Sequence, residues 1–335
     1  MLVTGGTGSF GRRCVEILRT EKRPRKIIVF SRDEQKQHEM QHIYPPGDSL
    51  RYVIGSIRDA DRLRTAFEGV DVVVHAAAMK QIPTCEYNAF EAIQTNVIGA
   101  HNIIAAALDH RVERVLNLST DKSVKPVSVY GATKLLAEKL FLEASVSREG
   151  RLPFFSTVRY GNVIGTRGSV IPVFRRQLQN GVVTVTDPRM TRFWITRDQG
   201  VQFVIQCVEQ MRGGEIFVPK VPSARVMDLV ETVAPGCRVE YIGIRDGEKL
   251  HEVLISEDEA RYGREFADMF VVRPSGGAHL VGEWSEGKPL PDGYRYTSDG
   301  TARRLRLEEL KALVEEGDES MRRATDATGR VVGRG

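Results

Sequence analysis

Cysteine is scarce in this chain of 335 residues, which contains four. None of them forms a CxxC pair or a spacing typical of metal ligands, so the sequence argues against a zinc module and against a disulfide framework. No metal cofactor is expected. We expect reduced, mostly buried thiols, as in a cytoplasmic protein, at Cys14, Cys85, Cys207 and Cys237.

The sequence also lacks a long hydrophobic run. Its most apolar segments, VDVVVHAAAM and NVIGAHNIIAAAL, are short or interrupted by His75, His101 and Asn102, whereas a membrane helix needs about 20 continuous apolar residues. The beginning, MLVTGGTGSF, has no basic segment and early glycines, so it is not expected to be a signal peptide. We expect no membrane partner.

Positive and negative charges are also nearly balanced, with 48 lysines and arginines against 44 aspartates and glutamates. The formal net charge is +4, with 27% charged and 41% hydrophobic residues. This balance is typical of a folded globular protein and does not indicate nucleic acid as a partner.

Short apolar runs alternate with helical patterns in the first half of the chain, which is typical of parallel βαβ units. The sequence predicts strands at 1–4, 26–30, 51–55, 71–76, 114–119 and 154–161, and helices at 10–20, 59–67, 91–109 and 128–144. The fold class is therefore predicted as α/β, a Rossmann-type doubly wound parallel sheet with a smaller mixed α/β substrate-binding domain. We expect the first domain to cover 1–165, with a returning helix and strand near 198–220. The second would cover 166–335 and end in a partly flexible tail.

A glycine-rich turn, TGGTGSFG, connects the first strand to the first helix. Such glycines allow a tight turn and let the backbone approach a pyrophosphate at the helix N-terminus. The turn therefore predicts a dinucleotide cofactor. Its expected contacts are Gly5, Thr7, Gly8, Ser9, Phe10 and Gly11.

The end of the second strand indicates which dinucleotide is bound. It reads Ser31-Arg32-Asp33, with Lys36 one helical turn later. A guanidinium and an ammonium suit the 2′-phosphate of NADP, whereas a cofactor site specific for NAD usually presents an acid. We predict NADP, with contacts from Ser31, Arg32 and Lys36. The alternative is that both cations are solvated charges at a helix start.

A tyrosine and a lysine lie four residues apart in YGATK, so Tyr130 and Lys134 share one helix face. A nearby ammonium favours the phenolate that a catalytic base requires. Thr120, at the end of the preceding strand, can hydrogen-bond a substrate hydroxyl. Together with the glycine turn, this pattern predicts hydride-transfer chemistry.

A family resemblance rests on the motifs TGGTGSFG, FSRDE, HAAAMK, STDK, YGATK, RYGNVIGTRGSVIP, MTRFWIT, GGEIFVPK and GEKLHE. They resemble those of extended short-chain dehydrogenases/reductases, and more narrowly those of inverting UDP-N-acetylglucosamine 4,6-dehydratases. The resemblance runs from Leu2 to about Val272. It implies a UDP-sugar substrate that is oxidised at C4, loses water across C5 and C6, and receives the hydride back at C6. It also suggests a homo-oligomer.

The same resemblance implies roles for the polar residues before the tyrosine. Lys122 is similar to the lysine that handles the C5 proton, and Asp121 to the residue that serves the C6 oxygen. Dehydratases that retain the C5 configuration resemble TDE here, whereas this chain reads TDK. We expect burial beside Lys134 and the cofactor charge to lower the pKa of Lys122. The alternative is an exposed ion pair in a turn.

Further contacts follow from the resemblance. Ser56 stands where relatives carry an aspartate near the adenine, and Met190, Thr191 and Arg192 are expected to belong to a lid. The remaining cofactor contacts are expected at Ser56, Ile57, Ala76, Ala77, Ala78, Tyr160 and Val163. Substrate contacts are expected at Lys80, Asn162, Arg192, Arg245 and Glu248.

Two other functions compete with an inverting dehydratase. A nucleotide-sugar 4-epimerase uses the same tyrosine and cofactor but needs no acid/base pair at C5 and C6, so Asp121 and Lys122 argue against it. A non-catalytic dinucleotide sensor shares the fold but typically lacks the tyrosine and lysine.

Overall fold

The computed structural model describes residues 1–148, 151–165, 169–273 and 284–332. The strands are β1 Leu2–Thr4, β2 Ile27–Ser31, β3 Leu50–Ile54, β4 Val72–His75, β5 Arg114–Leu118, β6 Phe154–Val158, β7 Asn162–Ile164, β8 Val182–Val185, β9 Thr191–Thr196, β10 Ile216–Pro219, β11 Ser223–Arg225, β12 Arg238–Tyr241, β13 Val253–Ile255, β14 Gly263–Glu265, β15 Met269–Val272, β16 Lys288–Pro289 and β17 Tyr296–Thr297. The α-helices are α1 Ser9–Ile17, α2 Glu34–Ile43, α3 Ala60–Phe67, α4 Ile82–Tyr87, α5 Ala89–Ile93, α6 Gly99–Asp109, α7 Val129–Val146, α8 Val170–Leu178, α9 Arg197–Gln210, α10 Val226–Val233, α11 Glu257–Ala260 and α12 Leu307–Val332.

The large sheet is built mainly from parallel strands. Within the described residues its order is β16-β14-β15-β10-β6-β5-β4-β1-β2-β3. The strands from β3 to β10 are parallel, and β15, β14 and β16 extend that sheet in antiparallel pairing. The predicted Rossmann-type α/β fold is confirmed.

Side-chain alternation explains why the parallel strands are buried. Leu2 and Ile28 pack into a core under α3, α6 and α7, whereas their neighbours Val3 and Val29 pack into the core on the α1 and α9 side. Successive residues of a strand point to opposite faces, so a sheet covered on both sides selects apolar residues at every position.

A second lobe has a core of its own. Three small sheets, ordered β11-β9-β7, β12-β8 and β13-β17, lie outside the large sheet. Trp194, Phe174 and Leu229 belong to the buried cluster of this lobe. The predicted division at residue 165 stays a prediction, and β14, β15 and β16 from the second predicted segment continue the large sheet.

Several predicted boundaries differ from those in the structure. The predicted helix at 91–109 is divided by a π-helical turn, Gln94–Ile98, between α5 and α6. Helix α4 was not predicted, and α2 begins at the helix start considered for Arg32 and Lys36. The predicted tail is helical as far as Val332 in α12, and its last three residues, 333–335, lie outside the described residues.

All four cysteines are described and none forms a disulfide; three are buried and Cys237 is partly exposed. Among the described residues, no helix combines the length and the apolar character needed to cross a bilayer.

Candidate active site

The glycine turn forms an open cradle between β1 and α1. Gly5 has φ +65°, and Gly8 precedes α1 with no side chain capping the helix. A Cβ on Gly11 would lie 2.5 Å from the carbonyl oxygen of Gly5, so the helix can pack against the turn only without a side chain there. The first backbone N–H groups of α1 are thus available to an anion, which fits a pyrophosphate.

The turn meets the segment after β4 at the point where the strand order reverses. The Thr4 hydroxyl accepts hydrogen bonds from the backbone N–H groups of Ala76 (3.1 Å) and Ala77 (3.2 Å) and lies 2.8 Å from Nδ1 of His75. Ligands of doubly wound sheets bind at such a switch point. Two of the predicted contacts, Ala76 and Ala77, therefore lie beside the glycine turn.

The residues predicted to select NADP differ in their exposure and in their contacts with other protein groups. Ser31 is buried, and its oxygens accept hydrogen bonds from Gln37. Asp33 caps α2 and pairs with Lys36, so both charges are already engaged. Arg32 is exposed and makes no hydrogen bond or ion pair with the described residues.

The predicted adenine contacts are less open to a ligand. The Ser56 hydroxyl accepts a hydrogen bond from the backbone of Arg58 at 3.2 Å. Ile57 is 4% exposed and packs against Gly99, where a Cβ would lie 2.7 Å from Cδ1 of Ile57. The Ile57 side chain therefore serves mainly the core.

The turn after β5 gathers the polar residues predicted to be catalytic. Thr120 precedes a 3₁₀ turn, Asp121–Ser123, and its hydroxyl donates to Oδ1 of Asp121 at 2.9 Å. The Nζ of Lys122 donates to the same oxygen at 3.0 Å. Asp121 is 0% exposed and the Lys122 side chain 22%, which excludes the alternative of an exposed ion pair.

Helix α7 is held against this turn by a glycine. Ser128 caps the helix by accepting a hydrogen bond from the backbone N–H of Gly131. A Cβ on Gly131 would lie 2.2 Å from the carbonyl oxygen of Lys122. This close contact places Tyr130 next to the turn, where its side chain hydrogen-bonds Thr120.

Burial has the largest effect on the pKa of Tyr130. Desolvation raises the pKa of Tyr130 to about 12 in the chain alone, and the Lys122 ammonium acts in the opposite direction. Lys134 is 4% exposed, and desolvation lowers its pKa to about 8 while Glu138 opposes this shift. In the chain alone, Lys122 is the cation that lowers the pKa of Tyr130 most.

The expectation that burial lowers the pKa of Lys122 is wrong for this chain. Desolvation acts in that direction, but the carboxylates of Asp121 and Glu252 outweigh it and raise the pKa above its ordinary value. Burial in turn raises the pKa of Asp121. The two groups therefore form a pair in which the amine holds its proton firmly and the acid gains one readily.

Glu252 was missed by the sequence prediction. Its Oε1 lies 3.3 Å from Nζ of Lys122 and 3.6 Å from Nε of Arg192. The available signal was weak, since Glu252 is only the last acid of the motif GEKLHE and lies far along the chain from Lys122.

A buried ion pair below the turn was also missed. Arg159 (1% exposed) donates to both carboxylate oxygens of Glu138 (0% exposed). The hydroxyls of Ser119 and Ser123 donate to the same carboxylate. A charge on an apolar face of α7, eight residues after Tyr130, was the signal for this network.

Three of the predicted substrate residues, Asn162, Arg192 and Glu248, line one cleft above the turn. Its walls include Lys122, Asn162, Arg192, Glu248 and Glu252. Nζ of Lys122 lies 3.4 Å from the amide oxygen of Asn162.

Two predicted substrate residues, Arg245 and Lys80, are not among the residues that line the cleft. Arg245 is largely exposed and lies 3.9 Å from Glu248. Lys80 is exposed and makes no hydrogen bond or ion pair with the described residues. Its loop is fixed by Asn96, which bonds both backbone groups of Met79 and the hydroxyl of Thr133.

The prediction of a lid at Met190 and Thr191 is wrong. Met190 is 1% exposed and Thr191 2%, and Thr191 begins β9, the central strand of a three-stranded sheet. Side chains buried to this extent belong to the packed interior of the second lobe.

Two predicted cofactor contacts lie near the turn after β5. Tyr160 is buried, and its carbonyl oxygen accepts a hydrogen bond from the backbone N–H of Asp121. Val163 lies in β7 beside Asn162.

The described residues contain no cluster of three or more histidine, cysteine, aspartate or glutamate side chains suited to a metal ion.

Comparison with known proteins places this geometry in context. A family model described as polysaccharide biosynthesis protein matches residues 1–274. The chain is 44% identical, over 94% of its length and 96% of the relative, to a UDP-N-acetylglucosamine 4,6-dehydratase (inverting) of Campylobacter jejuni subsp. jejuni serotype O:23/36 (strain 81-176). It is 39% identical, over 94% of both chains, to a UDP-glucose 4-epimerase of Rickettsia canadensis (strain McKiel).

Among solved structures, Pen from Bacillus thuringiensis superposes with a TM-score of 0.87 at 37% identity. The match covers 95% of this chain and 97% of that one. Both the large sheet and the second lobe are therefore shared with a known structure.

Proposed function

Because the chain belongs to the polysaccharide biosynthesis protein family of extended short-chain dehydrogenases/reductases, we propose that it is a UDP-N-acetylglucosamine 4,6-dehydratase that inverts C5. The observation that carries this proposal is the buried Asp121–Lys122 pair beside Tyr130. An acid and a base at that position serve a dehydration across C5 and C6.

Tyr130 is proposed as the base for the hydroxyl at C4. Its phenol hydrogen-bonds Thr120, and the Lys122 ammonium favours the phenolate. NADP, if bound at the glycine turn, would accept the hydride from C4 and would later donate it to C6. The turn at Gly5, Gly8 and Gly11 fits its pyrophosphate, because side chains at Gly5 and Gly11 would meet the protein's own backbone and prevent the tight turn that leaves the first N–H groups of α1 open.

The Asp121–Lys122 pair is proposed to act next. Transfer of one proton from Nζ of Lys122 to Oδ1 of Asp121, over 3.0 Å, converts an ion pair into an amine and a carboxylic acid. The amine then takes the C5 proton, which the C4 ketone has made acidic, and Asp121 protonates the departing C6 oxygen. These two transfers leave Lys122 an ammonium and Asp121 a carboxylate, so the pair has returned to its starting state. Inversion requires the proton that C5 regains to arrive on the opposite face of the ring, and the proton that Tyr130 took from the C4 hydroxyl balances it.

The epimerase alternative is supported by the names of the Rickettsia relatives. An epimerase needs the sugar to be oxidised and reduced at C4 only, so a buried acid/base pair would have no task in it. The pair makes the dehydratase the better proposal.

NADP is proposed as the cofactor on the basis of Arg32. Lys36 and Asp33 are paired with each other, whereas the Arg32 guanidinium has no partner among the described residues. Arg32→Ala is expected to weaken NADP binding about tenfold or more and to leave NAD binding unchanged. Titration of both cofactors by protein fluorescence measures this, and equal loss for the two would refute the assignment.

The proposed activity is tested with UDP-N-acetylglucosamine and the NADP-loaded protein in deuterated water. Mass spectrometry should show loss of water, and NMR should show deuterium at C5 with inverted configuration. Unlabelled UDP-N-acetylgalactosamine as the product would establish an epimerase instead.

Two variants separate the steps of this reaction. Tyr130→Phe should reduce oxidation at C4 by about 10²–10⁴-fold, and Lys122→Met should keep part of that oxidation but lose C5 exchange. Lys125→Met is the matched control, because Lys125 lies in the next turn, is exposed and pairs with Glu257. Equal activity of all three variants would remove the proposed roles.

A further inference from the structure

Glu252 is a buried carboxylate at the wall of the cleft that the reaction sequence above does not use. It is 2% exposed, and its Oε2 has no hydrogen-bond partner among the described residues. A carboxylate in this setting is costly unless cations compensate it. Its presence beside Lys122 therefore requires a physical reason.

The backbone of Glu252 is fixed from both sides. Its N–H donates to the hydroxyl of Ser298 at 2.8 Å, and its carbonyl oxygen accepts from the backbone N–H of Ser298 at 2.9 Å. These bonds join the start of β13 to the end of β17. The carboxylate is consequently held at a constant place relative to the cleft.

The charges around Lys122 come from both lobes. Asp121 and Tyr130 face it from the side of the large sheet, and Glu252, Arg192 and Lys249 face it from the second lobe. The cations Lys122, Arg192 and Lys249 all lower the pKa of Glu252 and oppose its desolvation. Glu252 thus stays ionised when Asp121 takes up a proton.

We propose that Glu252 is a positioning residue for Lys122, whose carboxylate fixes Nζ at the cleft wall and stabilises the ammonium formed when the amine takes the C5 proton. This inference rests on the proposed dehydratase function. Asp121 changes its protonation state during the cycle, whereas Glu252 remains a constant counter-charge. The ammonium then restores the starting ion pair with Asp121.

The test uses Glu252→Gln in the NADP-loaded protein with UDP-N-acetylglucosamine in deuterated water. Loss of the charge removes one of the two carboxylates that raise the pKa of Lys122. The rise of C5 deuterium exchange with pH should therefore move to lower pH than in the parent. The exchange rate at high pH should fall about tenfold, because the amine becomes a weaker base. Oxidation at C4, followed by the absorbance of reduced nicotinamide, should change little.

Glu257→Gln is the matched control. Glu257 lies in the same segment and pairs with Lys125 at 2.6 Å, but its side chain is 39% exposed. It should alter neither the pH profile nor the rates. If Glu252→Gln slows C4 oxidation and C5 exchange equally with an unmoved pH profile, Glu252 is merely structural and the proposal is overturned.

A second measurement does not depend on the substrate. In protein with ¹⁵N-labelled lysine side chains, the Lys122 resonance should titrate at lower pH in Glu252→Gln than in the parent, and Glu252→Asp, which keeps the charge, should lie between them. Coincident titrations in all forms would overturn the proposal. If the parent does not convert UDP-N-acetylglucosamine but these titrations separate, the proposed function fails and the role of Glu252 stands.

Discussion

At the scale of single residues, burial and neighbouring charges decide the state of each titratable group. Lys122 lies in the 3₁₀ turn and Lys134 on α7, which packs against that turn. The pKa of Lys122 is nevertheless raised by two carboxylates, while that of Lys134 is lowered to about 8 by desolvation. The same side chain therefore offers a firmly held ammonium in one place and a readily deprotonated amine in the other.

His75 provides a prediction about stability and pH. It is 2% exposed, and desolvation with the nearby Lys134 lowers its pKa to about 3. The unfolded chain then binds the proton more tightly, so stability falls as the pH drops from about 6.5 toward 3, by up to about 1.4 kcal/mol per pH unit. His75→Asn should reduce this slope, as measured by urea unfolding at several pH values.

The control for His75 is His101→Asn, since His101 is exposed on α6. Its slope should match that of the parent. A parent slope that persists in His75→Asn would assign the acid sensitivity to other groups.

At the scale of elements, the site depends on how closely α7 approaches the 3₁₀ turn. Helix periodicity places Tyr130 and Lys134 on one face of α7. That face can reach the turn only because residue 131 is a glycine: the carbonyl oxygen of Lys122 occupies the position that a side chain at 131 would take. Close approach of backbone to backbone is the reason for glycine here.

Gly131→Ala tests this contact. The new Cβ would lie 2.2 Å from the carbonyl oxygen of Lys122, so the turn or the helix must move. We expect activity to fall at least tenfold and the free energy of unfolding to fall by about 1–3 kcal/mol, as for other overpacked sites. Activity assays and urea unfolding measure the two effects.

A second helical glycine serves for comparison. At Gly200, in α9, an added Cβ would meet only Cδ1 of Ile195 at 3.9 Å, an ordinary contact. Gly200→Ala should keep activity and leave stability unchanged or raised by up to about 1 kcal/mol. Equal behaviour of the two alanine variants would show that Gly131 has no special role.

At the scale of the whole molecule, Arg159 joins the large sheet to the segment that carries Glu252. From the end of β6 it bonds Glu138 of α7, Glu259 of α11 and the carbonyl oxygen of Leu254 in β13. One buried guanidinium thus connects both walls of the cleft.

Arg159→Met should leave Glu138 as a buried carboxylate without its cation. We expect the free energy of unfolding to fall by about 3–5 kcal/mol, the range for breaking a buried ion pair. The double variant Arg159→Met/Glu138→Leu should regain much of this loss, because no unpaired charge remains. Urea unfolding of the single and double variants provides the comparison.

An exposed ion pair is the appropriate control. Arg64 pairs with Asp61 on the surface of α3, and Arg64→Ala should not change the unfolding midpoint measurably. A double variant as unstable as Arg159→Met would indicate that packing of the guanidinium, rather than its charge, holds the two walls together.

The sequence by itself determined the features that a few neighbouring residues encode. Apolar runs without alternation require strands covered on both faces, glycines at 5, 8 and 11 require a tight turn, and the spacing of Tyr130 and Lys134 requires a shared helix face. Such features depend on local geometry alone. The family resemblance predicted from these motifs is confirmed by the comparisons.

The tertiary structure decided what depends on groups distant in sequence. The proximity of Glu252 to Lys122, the direction of the Lys122 pKa, the burial of Met190 and Thr191 and the Arg159–Glu138 pair all arise where separate segments pack together. Electrostatic energy sums over every charge within a few ångströms and over the water that is excluded, and no local motif specifies that sum.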